Sequence, residues 1–365
     1  MKKEKQPSRV CSVGGQAVME GVMMKAPIGI ALAVRRSDGS ITTEFTPYES
    51  KTKKGTPSGM PVVRGVVTFV EAMSLGMRTI TRSAEMIGEE FTEEPTKFEK
   101  WLSEKTGKSV DKIAIAIAVT LAIALAVGLF FMLPTFVSGL LLRGFEGHNI
   151  WKSLVEGFVR LGVFLGYLIA IGWMKDVKRL FAYHGAEHKV ISCYEHEAEL
   201  TPSNAKQYSR LHARCGTNYL FLVMAVSILF FAVVGFNANF WLRLGSRLLF
   251  LPVVAGLSYE VLRFGGKSDS LLARIVRAPG MALQKITTRE PDDSMLEVAI
   301  AAFELAMNPP QADEVKQPSE DAVSGAEETM QQDENPAQPE EEPSQNAQAG
   351  MPAAALSAAE TINTL

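Results

Sequence analysis

The sequence predicts a membrane α-helical bundle of about four transmembrane helices, with a small cytoplasmic α+β part at the N-terminus and a disordered C-terminal tail. Two uncharged runs and a segregation of charge carry this reading. Residues 113–142 contain thirty positions without a charge and residues 215–242 contain twenty-eight, where about twenty apolar residues suffice to cross a bilayer. Residues 309–365 hold twelve Asp/Glu against one Lys. The whole chain carries −3, so residues 1–308 carry about +8, a balance suited to an anionic cytoplasmic leaflet. No basic run interleaves with aromatics, which argues against nucleic acid as a partner. Three cysteines, an odd number, fit a reducing cytosol better than a disulfide framework. The charged first ten residues have no apolar core behind them, so no signal peptide is expected.

The chain divides into four segments. Residues 1–110 form the cytoplasmic N-terminal region. A Gly- and Met-rich stretch at 11–25 reads as a glycine-rich turn. Runs at 28–34 and 41–45 bracket Asp38-Gly39 and signal a tight hairpin. Val66, Phe69, Met73, Met77, Ile80, Ala84 and Ile87 recur at helical spacing, with Glu71, Arg78, Arg82 and Glu85 off the stripe. This amphipathic helix is expected to pack on the rest of its domain, the other reading being a helix on the membrane surface.

Residues 111–265 form the membrane domain, with spans at 113–142, 153–174, 216–236 and 244–264. Pro134 kinks the first. Glu156 and Arg160 lie four apart in the second and can pair on one face. The fourth is short of uncharged length and either spans or re-enters. The 175–215 loop holds seven Lys/Arg, against two each in 143–152 and 237–247. The positive-inside rule therefore places that His-rich loop and both termini in the cytoplasm of a multi-pass cell-membrane protein, with the lipid bilayer as partner. Residues 266–308 supply C-terminal cytoplasmic helices: a short one at 270–277 broken by Pro279, and one opened by a capping box at Ser294–Glu297. Residues 309–365 are the disordered acidic tail.

Four of the five histidines fall between 184 and 212. In a helix His184 and His188 stand one turn apart on one face, where two imidazoles can share a metal. Glu187 beside them can take a proton from a metal-bound water. This is the H-x-x-E-H arrangement of the inverted zincins. The bland alternative is interfacial histidines, hydrogen-bonded beside a basic membrane surface. His212 and Cys215 form a second ligand-type pair. Glu260, in an apolar run seventy-two residues after His188, is the downstream glutamate that an inverted zincin would use as a ligand; its other role is a partnership with Arg263. In Gly14–Gly21 the polar contributors to a ligand site are Gln16 and Glu20, and in Pro61–Gly65 the anion holder is Arg64.

The blocks GGQAVMEGVMM, PVVRG, YHGAEHKVISCYE, HARCGTN and SYEVLRF resemble the YqhQ-like family of bacterial multi-pass membrane proteins, a domain of unknown function (1385). The resemblance covers about residues 8–308 and leaves out the acidic tail. It implies a bacterial membrane protein with metal dependence and implies no substrate. It places the chemistry on Gln16, Glu20, Arg64, His184, Glu187, His188, His212, Cys215 and Glu260. Two functions follow as expectations. One is a metal-dependent hydrolase at the cytoplasmic membrane face, with zinc as the divalent metal, Glu187 as base and the substrate unknown. The other is a non-enzymatic, metal-stabilised membrane adaptor or transport component. An open coordination position would favour the first and four closed protein ligands the second.

Overall fold

The computed structural model describes residues 11–52, 55–88, 110–144, 149–235, 239–266 and 270–310. All of these fall within the unit of residues 1–312. His148 and the tail beyond Pro310 lie outside the described residues.

The N-terminal region is a four-stranded antiparallel sheet in sequence order, with β1 Gly14–Val18, β2 Gly21–Ala26, β3 Gly29–Arg35 and β4 Ile41–Pro47. β3 and β4 are the hairpin read from Asp38-Gly39, with Gly39 at φ +86°. β1 and β2 occupy the stretch that the sequence assigns to a turn, Gln16 opposite Met23 and Gly14 opposite Lys25. Gly and Met favour strands weakly, and pairing with β3 supplies what local preference lacks. β2 and β3 are buried on both faces, so their side chains show no polar alternation. Val22, Met24, Ala31 and Ala33 enter one core. Met23, Ile30, Leu32 and Val34 enter the other, which Met86 and Ile87 close.

Those two residues end α1, Val63–Ile87, the amphipathic helix read from periodicity. Its orientation differs from the expectation of a packed apolar stripe. Gly65, Glu71, Gly76, Thr79 and Ser83 face inward, whereas Val70, Met73, Met77 and Ile80 are exposed. Small residues permit close approach to the sheet and to a later helix, and this packing outweighs burial of the methionines. Glu71 is held inside by Ser50 Oγ at 2.9 Å and by the Lys51 N–H.

Among the described residues three helices are long and apolar enough to cross a membrane, or four if a bent pair is one span. The first is α2 Val110–Val127, continued through a π-helical turn Gly128–Met132 into α3 Leu133–Leu141. The widened turn precedes Pro134, and the Phe130 carbonyl that the proline cannot bond accepts from Arg160 Nε at 3.1 Å. The second is α4 Asn149–Ile171. After it, α5 Lys175–Glu195 and the short α6 Pro202–Ala205 replace the expected loop, and α7 Thr217–Val234 is the third. α8 Phe240–Leu249 and α9 Leu251–Gly266 form the bent pair, with an angle of 46°.

α10 Leu271–Thr287 runs through Pro279 rather than breaking there. Ser270 caps it by accepting from Ala273 N–H, and Gly280 lies against Asn218 of α7, so packing carries the helix past the proline. α11 Asp293–Met307 is capped by Asp292, which accepts from Met295 N–H, and not by Ser294, whose hydroxyl donates to the same carboxylate. Leu296, Ala299 and Phe303 of α11 join Tyr183, Ala186 and Val190 of α5 in the core beneath β2 and β3. One core therefore draws on segments that the sequence lists apart.

Candidate metal centre

α5 carries His184 and His188 one turn apart, as their spacing requires, with ring centroids 4.5 Å apart. His184 Nδ1 lies 2.9 Å from the Thr287 carbonyl and His188 Nδ1 lies 2.6 Å from the Arg210 carbonyl. A carbonyl only accepts, so both Nδ1 atoms carry the proton and both Nε2 atoms present a lone pair. Burial holds the pKa of His184 below its ordinary value, against the Thr287 hydrogen bond. Burial, reinforced by His184, holds His188 well below. The two rings are neutral with fixed tautomers, as a metal-ligating imidazole is when an outer partner holds its other nitrogen.

The third donor comes from the turn before α7. Cys215 Sγ lies 3.2 Å from His184 Nε2, and the ligand atoms of His184, His188 and Cys215 all fall within 4.8 Å of one another. Thr217 faces the sulfur with its hydroxyl at 2.7 Å and its N–H at 3.4 Å. The turn is fixed from a distance. Gln284 of α10 accepts from His212 N–H at 2.8 Å and donates to the His212 carbonyl at 2.9 Å and to Asn218 Oδ1 at 3.0 Å.

Glu187 stands beside the cluster, its Oε2 4.0 Å from His184 Nε2. It is 5% exposed, and among the described residues Oε2 has no hydrogen-bond partner; neither has His188 Nε2. Burial pushes the Glu187 carboxyl up to about 8, against a hydrogen bond from the Gly15 backbone. Burial, with the neighbouring Glu187, pushes the Cys215 thiol up to about 12. A divalent cation among these groups would satisfy the orphaned nitrogen and favour the charged carboxylate and thiolate. His184, His188 and Cys215 are therefore a donor set that could hold a divalent metal ion.

Two glycines make this approach possible. A Cβ on Gly185 would stand 2.0 Å from the Arg289 carbonyl, so only glycine lets the 287–289 segment lie against α5 and offer Thr287 to His184. A Cβ on Gly15 would stand 2.7 Å from the Met23 carbonyl and 2.8 Å from Glu187 Cγ. The Met23 carbonyl is backbone and cannot yield, so Gly15→Ala is expected to part β1 from β2 or displace Glu187, at about 1–3 kcal/mol. The thermal midpoint should fall in Gly15→Ala and stay unchanged in Gly14→Ala, since nothing lies within 4 Å of a Cβ there.

A cavity of about 430 Å³ borders the cluster, its wall including Gly15, Gln16, Lys25, Glu187, Arg214 and Cys215. Gln16 thus shares a space with Glu187. Of the other sequence candidates, His212 stands next to the cluster, its ring centroid 5.7 Å from that of His188, and lines the cavity, but its Nε2 is turned to Glu195 Oε2 at 3.3 Å; the rest lie farther from the three converging donors. Burial disfavours ionisation of Glu195, but hydrogen bonds from His212 and the Cys11 N–H, with the Arg214 charge, hold its pKa below the ordinary value. Glu260 is hydrogen-bonded by Arg64, with Nε at 2.7 Å, and by the Val62 N–H at 3.3 Å, the charge of Arg263 adding a smaller electrostatic attraction, and among the described residues no histidine bonds to it. Arg64 accordingly holds a carboxylate of its own chain. Glu20 sits in the β1–β2 turn at φ +49° and pairs with Arg179, with Tyr183 donating at 3.2 Å. The supporting residues Thr217, Gln284 and Thr287 carry no signal in the sequence, because their roles depend on contacts between distant helices.

Residues 60–309 match the family described as "Protein of unknown function (DUF1385)". The chain is 33% identical over 304 residues to "Uncharacterized protein YqhQ" of Bacillus subtilis (strain 168), covering 83% of this chain and 93% of that protein. No solved structure matches the chain. The match over most of its length, joined to the relative's coverage, places the chain in the DUF1385 family, and it belongs to that family.

Proposed function

We propose that the protein is a metal-dependent hydrolase acting at the cytoplasmic face of a bacterial cell membrane. The convergence of His184, His188 and Cys215 beside the buried, unpartnered oxygen of Glu187 carries this reading. Bound there, zinc or another divalent metal would supply Lewis acidity toward a carbonyl or phosphoryl oxygen. The chain does the rest. His184 and His188 are held in the ligating tautomer by Thr287 and Arg210, and Thr217 supports the Cys215 sulfur. Glu187 takes the proton of the attacking water and returns it to the leaving group. Gln16 and Lys25 line the approach through the cavity.

One observation favours the adaptor reading. Cys215 is a thiol ligand, and thiolates are frequent in closed structural sites. Against it, Glu187 stands beside the three donors with an oxygen that no described group engages, where it would serve as the base for a reacting water. Comparison of Glu187→Gln with His188→Ala separates the two readings.

The long apolar helices and the exposed Met73, Met77 and Ile80 of α1 support a membrane seat. Single cysteines at Lys206 and Asn149, in a background lacking Cys11, Cys193 and Cys215, test the orientation. An impermeant thiol reagent on whole cells should label position 149 and spare position 206. The opposite pattern would put the centre outside the cell.

A further inference from the structure

A second site stands in the helical bundle, away from the histidines. Glu156 of α4 is 1% exposed and is surrounded by Arg160, Arg243 and Arg247, which are 6%, 4% and 2% exposed. Arg160 reaches Glu156 at 3.2 Å, Arg247 at 3.2 Å and Arg243 at 3.5 Å. One carboxylate balances one guanidinium, so Arg160 and Arg247, which share Glu156, carry one positive charge in excess of it. The deficit extends beyond it. Residues 128–174 and 216–259 contain only Glu146 and Glu156 as acids, against Arg143, Lys152, Arg160, Arg243 and Arg247.

The Phe130 carbonyl accepts from Arg160 at 3.1 Å and the Thr135 carbonyl from Arg243 at 2.7 Å, while Arg247 lies 3.8 Å from the centre of the Phe231 ring. These are dipoles and ring faces and carry no net charge. Burying unbalanced guanidinium charge among apolar helices is costly, and charges so placed mark ligand pathways. Arg160 and Arg247 also border a cavity of about 380 Å³ whose wall is otherwise almost wholly apolar, with Phe164, Leu168, Met224 and Phe231. Tyr167, Leu220 and Leu251 of the same wall are exposed on the outside of the helices, so the cavity is reached from the side.

We propose that this cavity binds an anionic phospholipid, its phosphate beside Arg160 and Arg247 and its acyl chain along the apolar wall. The combination of excess positive charge and a lateral apolar opening is complementary to an amphiphile with one anionic group. The proposal rests on the membrane reading and is independent of the hydrolase.

The test uses the full chain in a neutral detergent, with the thermal midpoint as readout. Dioleoyl phosphatidylglycerol should raise the midpoint by several degrees, while dioleoyl phosphatidylcholine and inorganic phosphate leave it in place. Val223→Trp, which fills the apolar wall and keeps every charge, should abolish that rise and keep the metal content of the wild type. Arg160→Gln/Arg247→Gln should abolish it as well. An equal rise with both lipids, a rise with phosphate alone, or a rise retained in Val223→Trp would each overturn the proposal. So would release of the protein from membranes by alkaline carbonate, which removes the membrane reading and leaves the metal centre standing.

Discussion

Glu187→Gln is expected to keep the fold and the metal and to lose the activity. The substituted side chain is nearly isosteric and removes none of the three converging donors. The buried environment favours a neutral group at this position, as the raised Glu187 pKa indicates, so the amide costs little stability. The Gly15 N–H retains an oxygen to bond. What disappears is the ability to exchange a proton, which contributes typically about 10²–10⁴-fold to rate. With the substrate unidentified, the readout is the phenotype caused by loss of the protein, scored beside metal content. A normal phenotype for Glu187→Gln with unchanged metal, beside a null His188→Ala, would remove the hydrolase and leave a metal-dependent scaffold. In that case Glu187 would act only by orienting a ligand, and its loss would weaken metal affinity about 10–100-fold at most.

The double substitution His184→Ala/His188→Ala is expected to bring metal content from about one per chain to near zero. It removes two of the three donors together. It also leaves the Thr287 and Arg210 carbonyls without their ring partners, and each buried acceptor so orphaned costs about 1–3 kcal/mol. The thermal midpoint should therefore fall in the variant, and added zinc should raise it in the wild type only. Full metal retention in the double variant would move the binding site elsewhere in the chain.

Local spacing made the histidines legible. A helix places positions 184 and 188 on one face whatever surrounds it, and α5 is such a helix. The hairpin at Asp38-Gly39 was legible for the same reason. What the sequence could not supply were choices made across the fold. Cys215 rather than His212 joins the two imidazoles because Glu195, from the end of α5, engages the His212 ring, while Gln284 of α10 holds the 212–218 turn in place. Glu260 has the residue type and the spacing of a downstream ligand, yet α1 packs beside α9 and brings Arg64 to it first. The stripe on α1 was visible as periodicity, but periodicity does not say which side finds a partner. β1 and β2 were hidden because their glycines serve close approach to Glu187 and to neighbouring strands and read locally as a turn.

The most direct test of the account is the metal content of the wild-type protein, purified in detergent without chelator or an affinity-tag metal. Elemental analysis should find about one divalent transition metal per chain, with zinc the expected ion, and dialysis against a chelator should lower the thermal midpoint until zinc is restored. No stoichiometric metal, together with a midpoint indifferent to added zinc, manganese or iron, would contradict it.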